Sequence, residues 1–193
     1  MKKIIAAICA FTILAVSSAF AADIQDSRIT SQDDQRISHL SGEMAEVLKE
    51  KIAAGADIYY GKGVKESDNS TYSSDQVTID TVKLPESAAV FDFDMEYGDG
   101  PYRSPYWFEA TKDCNMVVWR NEGSREDGYN SSFKVNFQLY CDDDSDFVYS
   151  RTYSVSSNQV RTYIPLEKGK RYRIYVTPLT EGLSWLNLLI SGE

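Results

Sequence analysis

Apolar and polar residues alternate along much of the chain after residue 76, and this period of two limits the possible folds most strongly. In residues 133–139, large apolar side chains occupy every second position and polar side chains lie between them. Residues 91–97 repeat the pattern with acidic residues in the polar positions. Because successive side chains of a strand point to opposite faces, the pattern predicts strands with one buried and one solvated face.

Short segments of this kind follow one another at regular spacing through residues 77–193. Turn signals separate them, among them Gly98–Pro101, Asp142–Asp146 and Glu167–Lys170. Strand-like and helix-like segments do not alternate, so the pattern does not favour a parallel sheet. We therefore predict one mainly β domain over residues 77–193, an antiparallel sandwich or barrel of about eight strands.

The first 21 residues have the composition of a secretory signal peptide. Lys2 and Lys3 precede an apolar run over residues 4–16, and Ala19-Phe20-Ala21 provides a small-x-small cleavage pattern. Cleavage after Ala21 predicts a secreted or periplasmic product. No later apolar run approaches the length of a membrane-spanning helix, so we expect no membrane insertion after cleavage.

Residues 22–60 form an N-terminal segment that contains one amphipathic helix. Apolar residues recur three or four positions apart from Ile37 to Ile52, and the helix begins at Thr30 or at Ser41 and ends before Gly55. Its apolar stripe either packs on the chain itself or assembles an oligomer through residues 41–54. Residues 61–76, rich in Gly, Ser, Asp and Asn, are predicted to be a polar linker or loop.

The cysteines suggest one disulfide. Cys9 lies in the predicted signal peptide, which leaves Cys114 and Cys141 in an exported chain. If residues 114–121 and 132–141 form an antiparallel hairpin, pairing the two cysteines also aligns apolar residues on one face. We therefore predict a cross-strand Cys114–Cys141 disulfide, with two buried thiols as the alternative.

Composition argues against several kinds of chemistry. A net charge of −9 disfavours nucleic-acid partners. The only histidine, His39, lies outside the β domain, which argues against Ser/His/Asp catalysis and zinc or copper sites. We expect a non-enzymatic protein without a cofactor, although a carboxylate-based hydrolase remains an alternative. The acidic turn offers one metal candidate, a calcium site at Asp142, Asp144 and Asp146, with a solvated turn as the alternative.

Aromatic residues mark the candidate ligand site. Tyr102, Tyr106 and Trp107 cluster around the Gly- and Pro-rich segment that begins at Gly98, and Trp119 and Tyr129 lie in or next to a long predicted loop. Flat rings beside polar residues suit sugar stacking or anchoring of a protein partner. A purely structural role in the core is the alternative.

A loose pattern of strands and turns runs through the C-terminal third of the chain. It consists of Phe137-Gln138-Leu139-Tyr140, the run from Tyr163 to Val176, and Gly182, Leu186, Leu188 and Ile190. In these residues the chain resembles bacterial pre-peptidase C-terminal domains, which are jelly-roll modules. This resemblance implies a jelly-roll-like sandwich and an accessory role in binding or export, as in the secreted enzymes that carry such modules. Asn136 and Gln138 stand where that family has strand aspartates.

Three functions from different classes remain open at the level of sequence. The first is an exported binding module for a glycan or surface polymer. The second is a structural or protein-interaction component of the cell surface, assembled through the helix at 41–54. The third is the carboxylate-based hydrolase, which requires two acids at catalytic separation, one of them with a raised pKa.

Overall fold

The computed structural model describes residue 40 and residues 42–66, 81–120, 133–155 and 160–193. The predicted signal peptide, His39 and Tyr129 lie outside these residues. The chain divides into two compact units, Met1–Gly55 and Ala56–Glu193. In the described part of the chain, the first unit contributes helix α1 (Gly42–Ala53) and the second contributes twelve strands.

Helix α1 confirms the predicted helix over residues 42–53. Met44, Leu48 and Ile52 recur every four residues and therefore share one face, and all three are buried within a single chain. Gly55 follows the helix with φ of +81°, a conformation that glycine adopts without steric cost. The oligomer predicted through residues 41–54 stays a prediction.

The described part of the second unit is built of strands. Its twelve strands form two sheets. The first two strands, residues 58–62 and 64–65, lie within the predicted N-terminal segment and linker. The strands are β1 (Ile58–Lys62), β2 (Val64–Lys65), β3 (Thr81–Leu84), β4 (Ala88–Glu96), β5 (Tyr102–Arg103), β6 (Trp107–Ala110), β7 (Cys114–Arg120), β8 (Phe133–Cys141), β9 (Asp146–Val155), β10 (Val160–Leu166), β11 (Arg171–Pro178) and β12 (Leu183–Gly192).

The first sheet has the order β1-β4-β12-β7-β10. In the second sheet β11 is central: β5 and β6 pair with one of its edges, β8 pairs along the other, and β9 continues outward from β8. β2 and β3 extend the sheet beyond β5 and β6. Pairing is antiparallel except for β1 with β4 and β3 with β6. The fold is thus mainly β, as predicted.

The core lies between the two sheets and follows the alternation of the sequence. In β4, Phe91, Phe93 and Met95 are buried in the core while Asp94 and Glu96 are exposed. In the second sheet the inward positions of β8 and β11 are apolar and fully buried, and their outward positions are polar or aromatic. The inward residues of these two strands are Phe133, Val135, Phe137, Leu139, Tyr172, Ile174 and Val176.

The predicted hairpin of residues 114–121 and 132–141 is wrong. β7 pairs with β10 and β12 in the first sheet, whereas β8 pairs with β9 and β11 in the second. Cys114 therefore lies opposite Leu166 and Cys141 opposite Tyr172, although both cysteines adjoin the core between the sheets. No disulfide joins them in the structure. The cross-strand geometry predicted for the bridge is therefore wrong, and a Cys114–Cys141 disulfide itself stays a prediction.

Candidate functional site

The outer face of the second sheet carries the candidate site, and strand parity determines which residues reach it. Ile174 and Val176 of β11 point into the core, so Arg173 and Tyr175 point outward. The strand register sets Tyr140 of β8 opposite Arg173 and next to Phe147 of β9. Three strands thus bring side chains from distant parts of the sequence onto one surface.

Four aromatic rings form a continuous cluster there, which we call the aromatic face. Tyr140, Phe147 and Tyr175 contact one another edge to face, with ring centroids 5.5 to 6.3 Å apart. Trp107 of β6 adjoins Tyr140 at 6.5 Å. Edge-to-face packing is favourable for aromatic rings, so each ring is held in place by its neighbours.

The aromatic face is accessible. Phe147 exposes 44% of its surface, and the other three rings are half-buried. Burial raises the pKa of the Tyr175 phenol, and the nearby charge of Glu66 raises it further. Its hydroxyl therefore stays protonated at neutral pH and can donate a hydrogen bond.

Two arginines hold Trp107. The guanidinium carbons of Arg171 and Arg173 lie 5.1 and 4.7 Å from the centre of its ring, within the range of cation–π attraction. Arg173 is almost fully buried, and its Nε donates a hydrogen bond to the Ser104 carbonyl at 3.3 Å. Burial lowers the pKa of Arg173, but an arginine side chain keeps its charge at neutral pH.

Polar side chains continue the surface beyond the rings. Gln138 lies opposite Tyr175 in the β8–β11 register and opposite Ser150 in the β8–β9 register. Ser150 in turn donates a hydrogen bond to Asn136 Oδ1 at 3.4 Å. The face therefore combines flat apolar rings with a row of amide and hydroxyl groups, the composition expected of a site that orients a polar ligand.

The aromatic residues predicted from sequence do not all reach this face. Trp107 does. Tyr106 is half-buried, with its ring against Tyr59 and Phe91 and its hydroxyl donating to the Tyr60 carbonyl at 2.7 Å.

Tyr102 and Trp119 were predicted to be ligand-binding rings, but both are buried in the structure. Tyr102 is 6% exposed and belongs to the core, because its position on β5 faces inward. Trp119 is 1% exposed on the face of the first sheet that points away from the core, where Val117 and Leu189 are also buried. Neither ring is available for stacking.

The carboxylates of the acidic turn already have partners, either basic side chains or the backbone. Asp142 forms an ion pair with Arg171, and Asp144 accepts a hydrogen bond from Lys170 at 2.8 Å. Asp146 accepts one from the next backbone N–H at 2.7 Å. The Lys170 ammonium also lowers the pKa of Asp144. Within the described residues, no group of three His, Cys, Asp or Glu side chains is placed to hold a metal ion. The structure therefore gives no support to the predicted calcium site in this turn.

Three residues of the aromatic face, Tyr140, Phe147 and Tyr175, were not predicted as site residues. Tyr140 is the last outward residue of a strand whose other outward residues are polar, and Tyr175 follows outward arginines on β11. An aromatic residue at a polar position of an alternating strand is therefore the signal that would have found two of them.

Comparisons with known proteins reach only the general architecture. No protein-family model matches the chain, and no curated protein matches it. Among solved structures, it is similar to the pre-peptidase C-terminal domain of a Bacillus anthracis collagenase. That match has a TM-score of 0.39 and 16% identity, over 59% of this chain and 93% of that one. The resemblance predicted from the C-terminal third is thus confirmed.

Two further solved structures share this general likeness. A family 35 carbohydrate-binding module from Clostridium thermocellum has a TM-score of 0.32 and 10% identity, over 56% of this chain and 94% of that one. The adhesin domain of Lys-gingipain from Porphyromonas gingivalis has a TM-score of 0.32 and 9% identity, over 47% and 62%. TM-scores of this size carry no argument about a ligand.

Proposed function

We propose that this chain is an exported, non-catalytic binding module that recognises a glycan or surface polymer with its aromatic face. The clustering of Trp107, Tyr140, Phe147 and Tyr175 on the outer surface of a sheet is the observation that carries the proposal. Outward positions of a half-buried sheet need only polar residues for solubility. A contiguous aromatic cluster there is typical of an interaction surface.

The neighbouring polar groups favour a sugar polymer over a flat apolar partner. Aromatic rings cover the C–H faces of a sugar, and hydroxyl groups at its edge need hydrogen-bond partners. Gln138, Asn136 and Ser150 supply amide and hydroxyl groups beside the rings. An open sheet surface suits a chain that passes across it better than a small molecule that must be enclosed.

The predicted signal peptide supports export. Within the described ranges, no helix is long and apolar enough to cross a membrane. Assembly through residues 41–54 and a carboxylate-based hydrolase remain the alternative functions.

A binding screen with a matched pair of variants tests the proposal. Affinity electrophoresis of the purified protein through gels containing plant, bacterial and host-type polysaccharides reveals binding as retardation, and insoluble peptidoglycan is tested by pull-down. We expect at least one polymer to retain the protein. Phe147→Ala removes an exposed ring of the aromatic face and is expected to weaken retention about tenfold.

Tyr163→Ala is the matched control. Tyr163 lies on β10 of the other sheet and is 47% exposed, close to the exposure of Phe147. The Tyr163→Ala variant should leave retention by the polymer unchanged. Retention that Tyr163→Ala abolishes and Phe147→Ala does not affect would assign binding to the wrong sheet and overturn the proposal, as would a folded protein that no polymer retains.

A further inference from the structure

A second group of polar side chains lies between the two sheets, where the edges of β9 and β10 face each other. Among the described strands, β9 pairs only with β8 and β10 only with β7. The hydroxyls of Tyr153 on β9 and Thr162 on β10 lie 3.3 Å apart. Both residues point inward, because they lie opposite the core residues Val135 and Val118. The group is thus on the opposite side of the second sheet from the aromatic face.

Arg120, the last residue of β7, points into the same place. It lies opposite Leu188, which belongs to the core, and it is only 3% exposed. Its guanidinium carbon lies 3.6 Å from the centre of the Tyr153 ring. Its buried Nε has no hydrogen-bond partner, and it forms no ion pair with a described carboxylate. Arginines are almost never buried so deeply unless they are paired, since the charge loses its hydration.

A second arginine adds to this positive charge. Arg151 on β9 lies opposite the core residue Phe137 and therefore points to the same inner side. Its guanidinium carbon lies 5.4 Å from the centre of the Tyr153 ring, and its exposure shows that solvent reaches the group. Burial lowers the pKa of Arg120, and the charge of Arg151 lowers it further, but an arginine keeps its charge at neutral pH.

Three hydroxyl groups border the two arginines. The hydroxyls of Tyr149 and Tyr153 are hydrogen-bonded to each other, and that of Tyr153 also contacts the Thr162 hydroxyl. Burial raises the pKa of Tyr149, so its phenol stays protonated at neutral pH. Three hydroxyls carry three protons, and the two hydrogen bonds that link them use two. One O–H group is therefore left to donate to a further acceptor.

We propose that this group of residues binds an oxyanion, either a carboxylate or a phosphate group. We call Arg120, Tyr149, Arg151, Tyr153 and Thr162 the arginine site. The Tyr153 ring compensates only part of the cost of burying the Arg120 charge, and an anion balances the rest. A guanidinium that lies against a ring presents its N–H groups in its own plane, where they can hold two oxygens of one anion. Arg151 supplies the second charge from the solvent side.

Titration of the purified protein with sodium phosphate and, separately, with sodium acetate tests the arginine site. Sodium chloride at equal ionic strength is the reference for general salt effects. The readout is the Nε–H signal of Arg120 in proton–nitrogen correlation spectra, assigned through its own side-chain carbons. We expect phosphate, acetate or both to shift this signal saturably, and chloride not to. The two arms distinguish a tetrahedral anion from a carboxylate.

Two exposed arginines on facing strands form a matched pair of variants. Arg151→Gln removes one charge of the arginine site and should weaken anion binding severalfold. Arg161→Gln removes one charge elsewhere, because Arg161 lies opposite Trp119 and contacts that ring on the outer face of the first sheet. It should leave anion binding unchanged.

Three results would overturn the proposal of an oxyanion site. The first is an Arg120 signal that neither phosphate nor acetate moves. The second is anion binding that Arg151→Gln leaves intact. The third is equal weakening by Arg151→Gln and Arg161→Gln, which would show that only the overall charge of the protein matters. Because the arginine site and the aromatic face share no residue, these results leave the proposal of polymer binding untouched.

Discussion

Tyr175 belongs to the aromatic face, with ring contacts to Tyr140 and Phe147. If the rings act by stacking, the Tyr175 ring matters more than its hydroxyl. Tyr175→Phe should therefore retain polymer binding within a few-fold, whereas Tyr175→Ala should lose about tenfold or more. Isothermal titration with whichever polymer retains the protein measures both. Equal losses in the two variants would show that the hydroxyl, not the ring, makes the contact.

Two aspartates link stability to pH. The pKa of Asp99 is lowered first by its hydrogen bond to Lys65, and that of Asp144 by its hydrogen bond to Lys170. A carboxyl group whose pKa is lower in the folded state stabilises the fold above its unfolded value. That stability is lost as the pH falls through the folded value.

The melting temperature should therefore fall as the pH drops below about 4. The double variant Asp99→Asn, Asp144→Asn should melt lower than the natural chain at neutral pH and show a shallower decline in acid. Circular dichroism melts between neutral and strongly acidic pH measure both slopes. Parallel curves for the two proteins would show that these pairs contribute nothing.

At the scale of single residues, the sequence identified only part of the candidate site. Trp107 was found because it lies in an aromatic-rich segment. Tyr102 and Trp119 share that type of signal, yet they are buried, since exposure is set by the face on which a residue lies and by what covers that face. Local composition does not contain that information.

At the scale of strands and helices, the alternation of apolar and polar residues predicted where strands lie but not which strands pair with one another. β4, β8 and β11 have the predicted alternation of buried and outward residues. The two-residue strands β2 and β5 are too short to show any period. The predicted pairing of β7 with β8 was wrong because strands that are neighbours in sequence need not pair. Alignment of apolar residues alone does not distinguish one alternating strand from another.

Two phenylalanines on neighbouring strands test the assignment of faces. Phe137 is 2% exposed in the core, while Phe147 is 44% exposed on the outer surface. Phe137→Ala should cost about 3–5 kcal/mol of unfolding free energy, because it removes core contacts and leaves a cavity. Phe147→Ala should cost about 1 kcal/mol, from lost ring contacts. Urea titrations of both variants give the two values, and similar costs would contradict the faces assigned here.

For the whole molecule, the fold brings distant segments together. Trp107 of β6, Tyr140 of β8 and Tyr175 of β11 meet only because β11 is central to its sheet. The sandwich also places Cys114 and Cys141 against one core from opposite sheets.

We predict that the two cysteines form a disulfide between the sheets in the exported protein. Intact mass measured after alkylation, with and without prior reduction, counts the reactive thiols. The protein isolated from an oxidising compartment should take up label at these two cysteines only after reduction, and Cys141→Ser should then leave Cys114 reactive. Full labelling of both without reduction, under denaturing conditions, would show that the bridge does not form.

The central claim is that a polymer binds on the outer face of the second sheet. The most direct measurement follows the indole N–H signals of Trp107, Trp119 and Trp185 while the protein is titrated with short oligomers of the retained polymer. Only Trp107 lies on the aromatic face. The Trp107 signal should shift saturably while the other two stay in place. A shift at Trp185 or Trp119 with Trp107 unmoved would contradict it.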